Sequence, residues 1–246
     1  MSVAYSVVIP AFNEEARLPS FLPSVIEYFQ NEFAKDYEII VVDDGSTDGT
    51  MDWLKEQSKE TSPLRVIGFA ENRGKGAAVR MGVTAAVGDL ILFCDADGAT
   101  PIDEERRLRL AVDAGVDVAV GSRLISSPDT AVQRAFARRL TGRLFASVAG
   151  FILHPPVRDT QCGFKLFRGD VGRRIAGLAT EDGYLFDLEW LCVAQRTGCK
   201  VAEVPVNWTE KPGSKLRMGR DGLRVFTSLW RLRRRVQQAG KAEESR

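Results

Sequence analysis

At 246 residues, 44% of them apolar and 27% charged, the chain is long enough for one large domain with a substantial core and has the composition of a soluble protein. A lone histidine, His154, argues against Ser-His-Asp chemistry and a histidine-rich metal site, while Cys94, Cys162, Cys192 and Cys199 lack metal-ligand spacing and read as reduced thiols of a cytosolic protein. The net charge of +1 conceals an acidic opening, with twelve acidic and four basic side chains in residues 1–60, and two basic segments further on.

Met1 leads almost directly into a strand, so no signal peptide is expected. Tyr5 to Pro10 reads as that strand, and Ala11 to Glu15 as a loop into an amphipathic helix over Leu18 to Phe33. Tyr37 to Val42 is a second strand, rich in β-branched residues, and Asp43-Asp44-Gly45-Ser46-Thr47-Asp48 turns into a helix from Thr50 to Ser58. Leu64 to Phe69 is a third strand, Gly76 to Val87 a helix, and Asp89 to Cys94 a fourth strand. Asp103 to Ala114 is a helix and Asp117 to Val120 a fifth strand. Strands alternating with helices of this length predict an α/β fold, a doubly wound, mostly parallel sheet.

The alternation stops after Ser122-Arg123. Ala131 to Leu153 reads as one helix or a broken pair, basic early and apolar late; its longest apolar run, Leu144 to Leu153, falls short of the ~18 residues a membrane span needs. A helix over Leu185 to Arg196, a strand over Val201 to Val206 and a basic helix over Asp221 to Gln238 follow. Residues 239–246 read as a disordered polar tail.

In open α/β sheets ligands bind at the carboxyl ends of the strands. Three predicted loops end there: 11–15, 43–49 and 95–101. Asp95 and Asp97 stand one residue apart where the fourth strand runs out into Gly98 and Pro101. Carboxylates this close repel each other unless a cation lies between them, and Mg²⁺ is commonly held by one or two carboxylates plus phosphate oxygens. Asp43 and Asp44 are placed to accept hydrogen bonds from a ribose or a base, or to cap the next helix. Asn72-Arg73-Gly74-Lys75-Gly76 opens a helix whose N-terminus favours an anion, with Lys75 and Arg80 adding charge. Arg123, at the end of the fifth strand, can grip phosphate oxygens or pair with a nearby acid.

Together these segments resemble family 2 glycosyltransferases with a GT-A fold. The likeness rests on Val8-Ile9-Pro10-Ala11-Phe12-Asn13-Glu14-Glu15, Val41 to Thr50, Asn72 to Gly76 and Asp95-Ala96-Asp97. The second half resembles dolichyl-phosphate β-glucosyltransferases, through Arg158 to Phe167, Glu203 to Glu210 and Gly213-Ser214-Lys215-Leu216. The resemblance implies that Pro10, Ala11, Asn13, Glu14, Asp44, Lys75 and Ala96 surround a nucleotide sugar, with UDP-glucose as donor. Asp95 and Asp97 would hold Mg²⁺ or Mn²⁺ on its diphosphate, and Lys215 would close over it. Arg123, with Arg134, Arg138 and Arg139, would meet the phosphate of a polyprenyl phosphate acceptor. Asp159, Gln161 and Asp187 would lie near the sugar.

A phosphate monoester is largely dianionic at neutral pH and needs no general base to attack the anomeric carbon with inversion. Thr180-Glu181-Asp182, which is similar to a carboxylate motif of hydroxyl-acceptor relatives, is therefore read as an acidic loop. Residues 1–215 would form the GT-A domain. The helix over 216–238, with the stripe Leu144, Phe145, Val148, Phe151 and Ile152, would face an anionic membrane rather than nucleic acid. The enzyme would sit on the cytoplasmic face of a membrane, with room for a membrane-protein partner. Lacking the N-terminal anchor of eukaryotic glucosyl enzymes, it would serve a prokaryotic acceptor. The rival readings are a nucleotidyltransferase, a non-catalytic lipid- or nucleotide-binding module, and a family 2 enzyme using mannose, GlcNAc or a hydroxyl acceptor.

Overall fold

Successive strand residues point to opposite faces, and here each face fills a core of its own. Val8, Ile40, Val42, Ile91 and Phe93 point one way and join Ala78, Val83, Ile175 and Trp190. Val7, Ile9, Ile39, Val41, Leu92 and Cys94 point the other way, onto Leu22, Val25, Phe29 and Leu108. A sheet covered on both faces is why these strands read as unbroken apolar runs.

The computed structural model describes residues 3–60, 63–133, 149–150, 152–211 and 229–238. Arg134, Arg138, Arg139, Lys215, the stripe from 144 to 148 with Phe151, residues 216–228 and the tail 239–246 lie outside them. The elements run β1 (Tyr5–Ala11), α1 (Leu18–Phe33), β2 (Tyr37–Asp44), α2 (Thr50–Glu60), β3 (Leu64–Phe69), α3 (Lys75–Ala85) and β4 (Leu90–Cys94). A 3-10 turn (Ile102–Glu104) then leads into α4 (Glu105–Asp113), β5 (Val118–Ser122) and β6 (Val132–Gln133). Last come β7 (Phe164–Arg168), α5 (Gly169–Leu178), α6 (Phe186–Arg196), β8 (Val201–Pro205) and β9 (Trp208–Thr209).

The seven-stranded sheet has the order β3-β2-β1-β4-β7-β5-β8. Every pairing in it is parallel except those of β7, which runs antiparallel to β4 and β5. This is the mostly parallel, doubly wound sheet expected. α1 has its expected bounds: Pro19 suits the first helical turn, and Leu18, Phe21, Leu22, Val25 and Phe29 recur at helical spacing and are buried. Each large one contributes about 1.5–3 kcal/mol by leaving water.

Several boundaries move, for physical reasons. β2 runs to Asp44 because the ladder continues through Asp43↔Gly68 and Asp44↔Phe69. β5 runs to Ser122 because β8 pairs Gly121↔Val204 and Ser122↔Pro205, so Arg123 is the first residue off the sheet. β7 and α5 are additions; Lys165 in the middle of Phe-Lys-Leu-Phe disguises a buried strand. The expected helix from Ala131 opens instead as β6, paired with β9. Tertiary bonds decide it: Trp208 N–H donates to the Ala131 carbonyl and Glu210 N–H to that of Gln133.

Residues 229–238 are helical. Leu229 and Leu232, on the helix expected to face a membrane, are buried with Val236 in the same core as Trp190. Trp230 and Arg231, Arg233, Arg234 and Arg235 are exposed. Among the described residues no helix is long and apolar enough to cross a membrane.

Candidate active site

β4 ends at Cys94, and the loop beyond it is fixed from both sides. Asp95 N–H donates to the Gly163 carbonyl at 2.9 Å, and Asp97 Oδ1 accepts Ala99 N–H at 3.0 Å, across a turn that Gly98 makes at φ +63°. Lys75 Nζ lies 2.5 Å from Asp95 Oδ1, and Arg17 Nη1 lies 3.9 Å from Asp97 Oδ2. Burial works against the Lys75 ammonium, but Asp95 and Asp187 outweigh it and hold its pKa well above the usual lysine value. Burial and the Asp95 charge push the Asp97 carboxyl up, against Ala99 N–H, Arg17 and Lys75. Burial is the larger cause, and a cation between the two carboxylates would offset it.

Two hard carboxylate oxygens fit Mg²⁺ or Mn²⁺. Among the described residues no cluster of three or more His, Cys, Asp or Glu side chains could complete a metal site alone. A cation on Asp95 and Asp97 would take further oxygens from a substrate diphosphate and from water. Gly163 belongs to this arrangement: a Cβ there would sit 1.9 Å from Asp95 Oδ2.

At the neighbouring strand ends most polar groups hold each other. Ala11 closes β1 beside Asp43, and Pro10 pairs with Val42. Asn13, at φ +52°, receives Thr47 N–H on its side-chain oxygen at 2.7 Å and donates its own N–H to Ser46 Oγ at 2.9 Å. Glu14 grips Arg17, accepting its Nε–H at 2.6 Å, and so steers that guanidinium toward Asp97. Ala96 is buried between the two aspartates. Asp44 accepts Asn72 Nδ2, Arg73 N–H and Gly74 N–H at 2.8–2.9 Å, which ties β2 to the loop before α3. Asp43 accepts Ser46 N–H on Oδ2, but its buried Oδ1 has no hydrogen-bond partner. Of the two aspartates, Asp43 carries the open acceptor.

The anion expected at the N-terminus of α3 is supplied by the protein. Arg73 and Gly74 N–H point at the Asp44 carboxylate, and Gly76 and Ala77 N–H donate to the Asp182 carbonyl at 2.7 and 3.2 Å. Arg80 pairs with the Asp182 side chain instead of adding free charge. Glu189 accepts the N–H groups of Thr180 and Glu181, at 2.9 and 2.7 Å, and Arg235 reaches Glu181 at 3.1 Å. The Thr180-Glu181-Asp182 loop is thereby tied down at each of its three residues.

Arg123 stands across the same edge. Its Nε and Nη2 donate to Asp159 at 2.8 and 2.6 Å, its main-chain N–H to the same carboxylate at 2.8 Å, and its guanidinium lies 5.5 Å from the Trp208 ring centre. Burial opposes the charge, but Asp159 outweighs it, and the guanidinium is held even more firmly protonated than usual. Gln161 Nε2 is buried without a hydrogen-bond partner. Asp187 lies deeper, in a buried ion pair with Lys165, whose Nζ also donates to the Cys162 carbonyl at 2.6 Å. Lys165 escaped the sequence reading; a lysine inside an apolar run, which must find a buried partner, is its signal.

The sequence model described as glycosyl transferase family 2 matches residues 6–175, from β1 into α5. The chain is 37% identical to the Homo sapiens dolichyl-phosphate beta-glucosyltransferase, over 92% of its own length and 77% of the relative's. Against the Saccharomyces cerevisiae protein of the same name the identity is 33%, over 91% and 72%. Among solved structures, mannosyl-3-phosphoglycerate synthase from Rubrobacter xylanophilus superposes with a TM-score of 0.67 at 19% identity, over 97% of this chain and 75% of that one. Glucosyl-3-phosphoglycerate synthase from Mycobacterium tuberculosis, solved with Mn²⁺, UDP-glucose and phosphoglyceric acid, gives 0.61 at 21%, over 92% and 79%. At such identities the structures share the GT-A fold, whereas the sequence match extends over most of the chain. The protein belongs to glycosyl transferase family 2.

Proposed function

We propose that the protein transfers glucose from UDP-glucose to a polyprenyl phosphate, inverting the anomeric centre. The observation that carries this reading is the charge arrangement along one sheet edge: two carboxylates at the end of β4 with Lys75 and Arg17 beside them, and a half-buried arginine just past β5. The names of the relatives, dolichyl-phosphate beta-glucosyltransferases, support the same donor and acceptor class.

Asp95 and Asp97 hold the divalent cation of the donor diphosphate, with Lys75 beside them. Bound there, the cation supplies charge that stabilises the leaving diphosphate. Asp43 Oδ1, buried and without a hydrogen-bond partner, is an acceptor that a donor N–H on the base would satisfy. Arg123 presents positive charge to the acceptor phosphate; Asp159 uses Nε and Nη2, which leaves Nη1 for a second anion. Asp182 takes no proton, because the acceptor is already an anion and Arg80 occupies its carboxylate. Lys215 would close over the diphosphate, and Arg134, Arg138 and Arg139 would add charge for the acceptor. Trp230 and the exposed arginines of residues 231–235 would rest on an anionic membrane carrying it.

A panel of nucleotide sugars, each incubated with a short polyprenyl phosphate, tests the reading. UDP-glucose should give UDP and a lipid-phosphate-linked glucose. Release of pyrophosphate, a preference for another donor, or transfer to a hydroxyl acceptor would overturn it.

A further inference from the structure

Three segments distant in sequence converge on one carboxylate that the roles above leave unused. Glu203 lies on β8, the edge strand, opposite Val120 of β5. Its Oε1 accepts the Ser122 hydroxyl at 2.6 Å and Asp159 N–H at 3.0 Å, and its Oε2 accepts Arg158 N–H at 3.0 Å. Ser122 is fully buried, and its Oγ accepts Leu124 and Ile125 N–H at 3.1 and 3.3 Å. One side chain thus anchors two turns, the one that follows Arg123 and the one that carries Asp159. Those turns in turn present the three Arg123–Asp159 hydrogen bonds.

We propose that Glu203 is the positioning residue for the acceptor phosphate, acting through Asp159 to fix the plane of the Arg123 guanidinium. This rests on the reading that Arg123 meets that phosphate. The geometry favours such a role because a guanidinium recognises phosphate through flat, directed N–H groups, and its plane is only as well defined as the carboxylate behind it. Asp159 sits on a turn rather than on a strand, and Glu203 supplies the rigidity of the sheet to that turn. A glutamine at 203 has the same volume but puts an NH₂ group where one of the three donors needs an acceptor.

The test uses the full chain, UDP-glucose and farnesyl phosphate in detergent micelles. Glu203→Gln should raise the KM for farnesyl phosphate about tenfold, the scale of losing one hydrogen bond to a charged group, and leave the KM for UDP-glucose unchanged. Asp159→Asn should do the same, and the double variant should be no worse than Asp159→Asn alone, because both act on one guanidinium. A merely structural Glu203 would lower kcat in proportion to the folded fraction with both KM values intact; that result, or an additive double variant, overturns the proposal. If Glu203→Gln does not fold, Ser122→Ala decides: it should raise the acceptor KM about threefold, and an unchanged value overturns the proposal. Arg123→Ala separates the two claims. If it spares the acceptor KM, the assignment of Arg123 to the acceptor fails. Glu203 then keeps its role only if Glu203→Gln, Asp159→Asn and Arg123→Ala all shift one and the same kinetic constant.

Discussion

Phe93 in β4 has two lysine ammonium groups near its ring, Lys75 Nζ at 5.4 Å and Lys165 Nζ at 5.6 Å, and each pairs with an aspartate. The side chains of Lys165 and Asp187 are 2% and 4% exposed; those of Lys75 and Asp95 are 24% and 35% exposed. The same two residue types therefore do different work around one ring. Below, a desolvated pair must stay together, since separating it leaves an uncompensated buried charge. Above, solvent screens the pair, so Asp95 can exchange part of its attraction to Lys75 for a cation carried in with a diphosphate. The depth of a pair, more than its composition, decides whether it is a strut or a site.

Swapping each lysine for an isosteric apolar residue breaks the comparison most sharply. Lys165→Met should cost about 3–5 kcal/mol of stability by urea denaturation, through the orphaned Asp187. Lys75→Met should cost about 1 kcal/mol or less, yet reduce turnover by about 100-fold or more. Equal stability losses in the two variants would show that the pairs are not of two kinds. On the open side, Asp97→Asn should leave the fold intact and cut turnover at least ~100-fold; wild-type-like turnover would remove Asp97 from the chemistry.

Gly163 sharpens the claim that Asp95 needs room. Its missing Cβ is the space that the Asp95 carboxylate fills, so Gly163→Ala must push that carboxylate aside and should cost turnover about 10- to 100-fold. Gly177→Ala is the control, because a Cβ there meets nothing within 4 Å. Equal activity of the two variants would contradict a placed Asp95.

What the sequence revealed follows from how local each feature is. Helix α1 and the start of strand β2 are set by neighbouring residues, and they stand where the pattern puts them. The opposite side of the site depends on contacts over long separations. β7 was hidden because Lys165 breaks its apolar run until Asp187, on another element, is taken into account. The resemblance singles out Asp44 for the nucleotide, and nothing local reveals that the loop at 72–74 engages its carboxylate while Asp43 Oδ1 has no partner. Arg80 and Asp182, Arg123 and Asp159, and Glu203 with both turns are pairings that no spacing along the chain announces.

The smallest effect concerns pH. Burial pushes the Glu189 carboxyl above the usual 4.5, against the N–H groups of Glu181 and Thr180. The native state then keeps that proton to higher pH than the unfolded chain, so stability falls as pH rises from about 4.5 through the raised native value. Glu189→Gln should flatten the fall of Tm above about pH 4.5, relative to the parent. Parallel curves would show that this carboxyl titrates as it does in the unfolded chain.

The open pair is tested most directly by calorimetric titration of UDP-glucose into the intact protein, with Mn²⁺ present and with EDTA. Binding should be strong with Mn²⁺ and weaker by at least about tenfold with EDTA, and Asp97→Asn should remove most of the difference. Equal affinity in Mn²⁺ and EDTA would contradict a diphosphate held through a cation on Asp95 and Asp97.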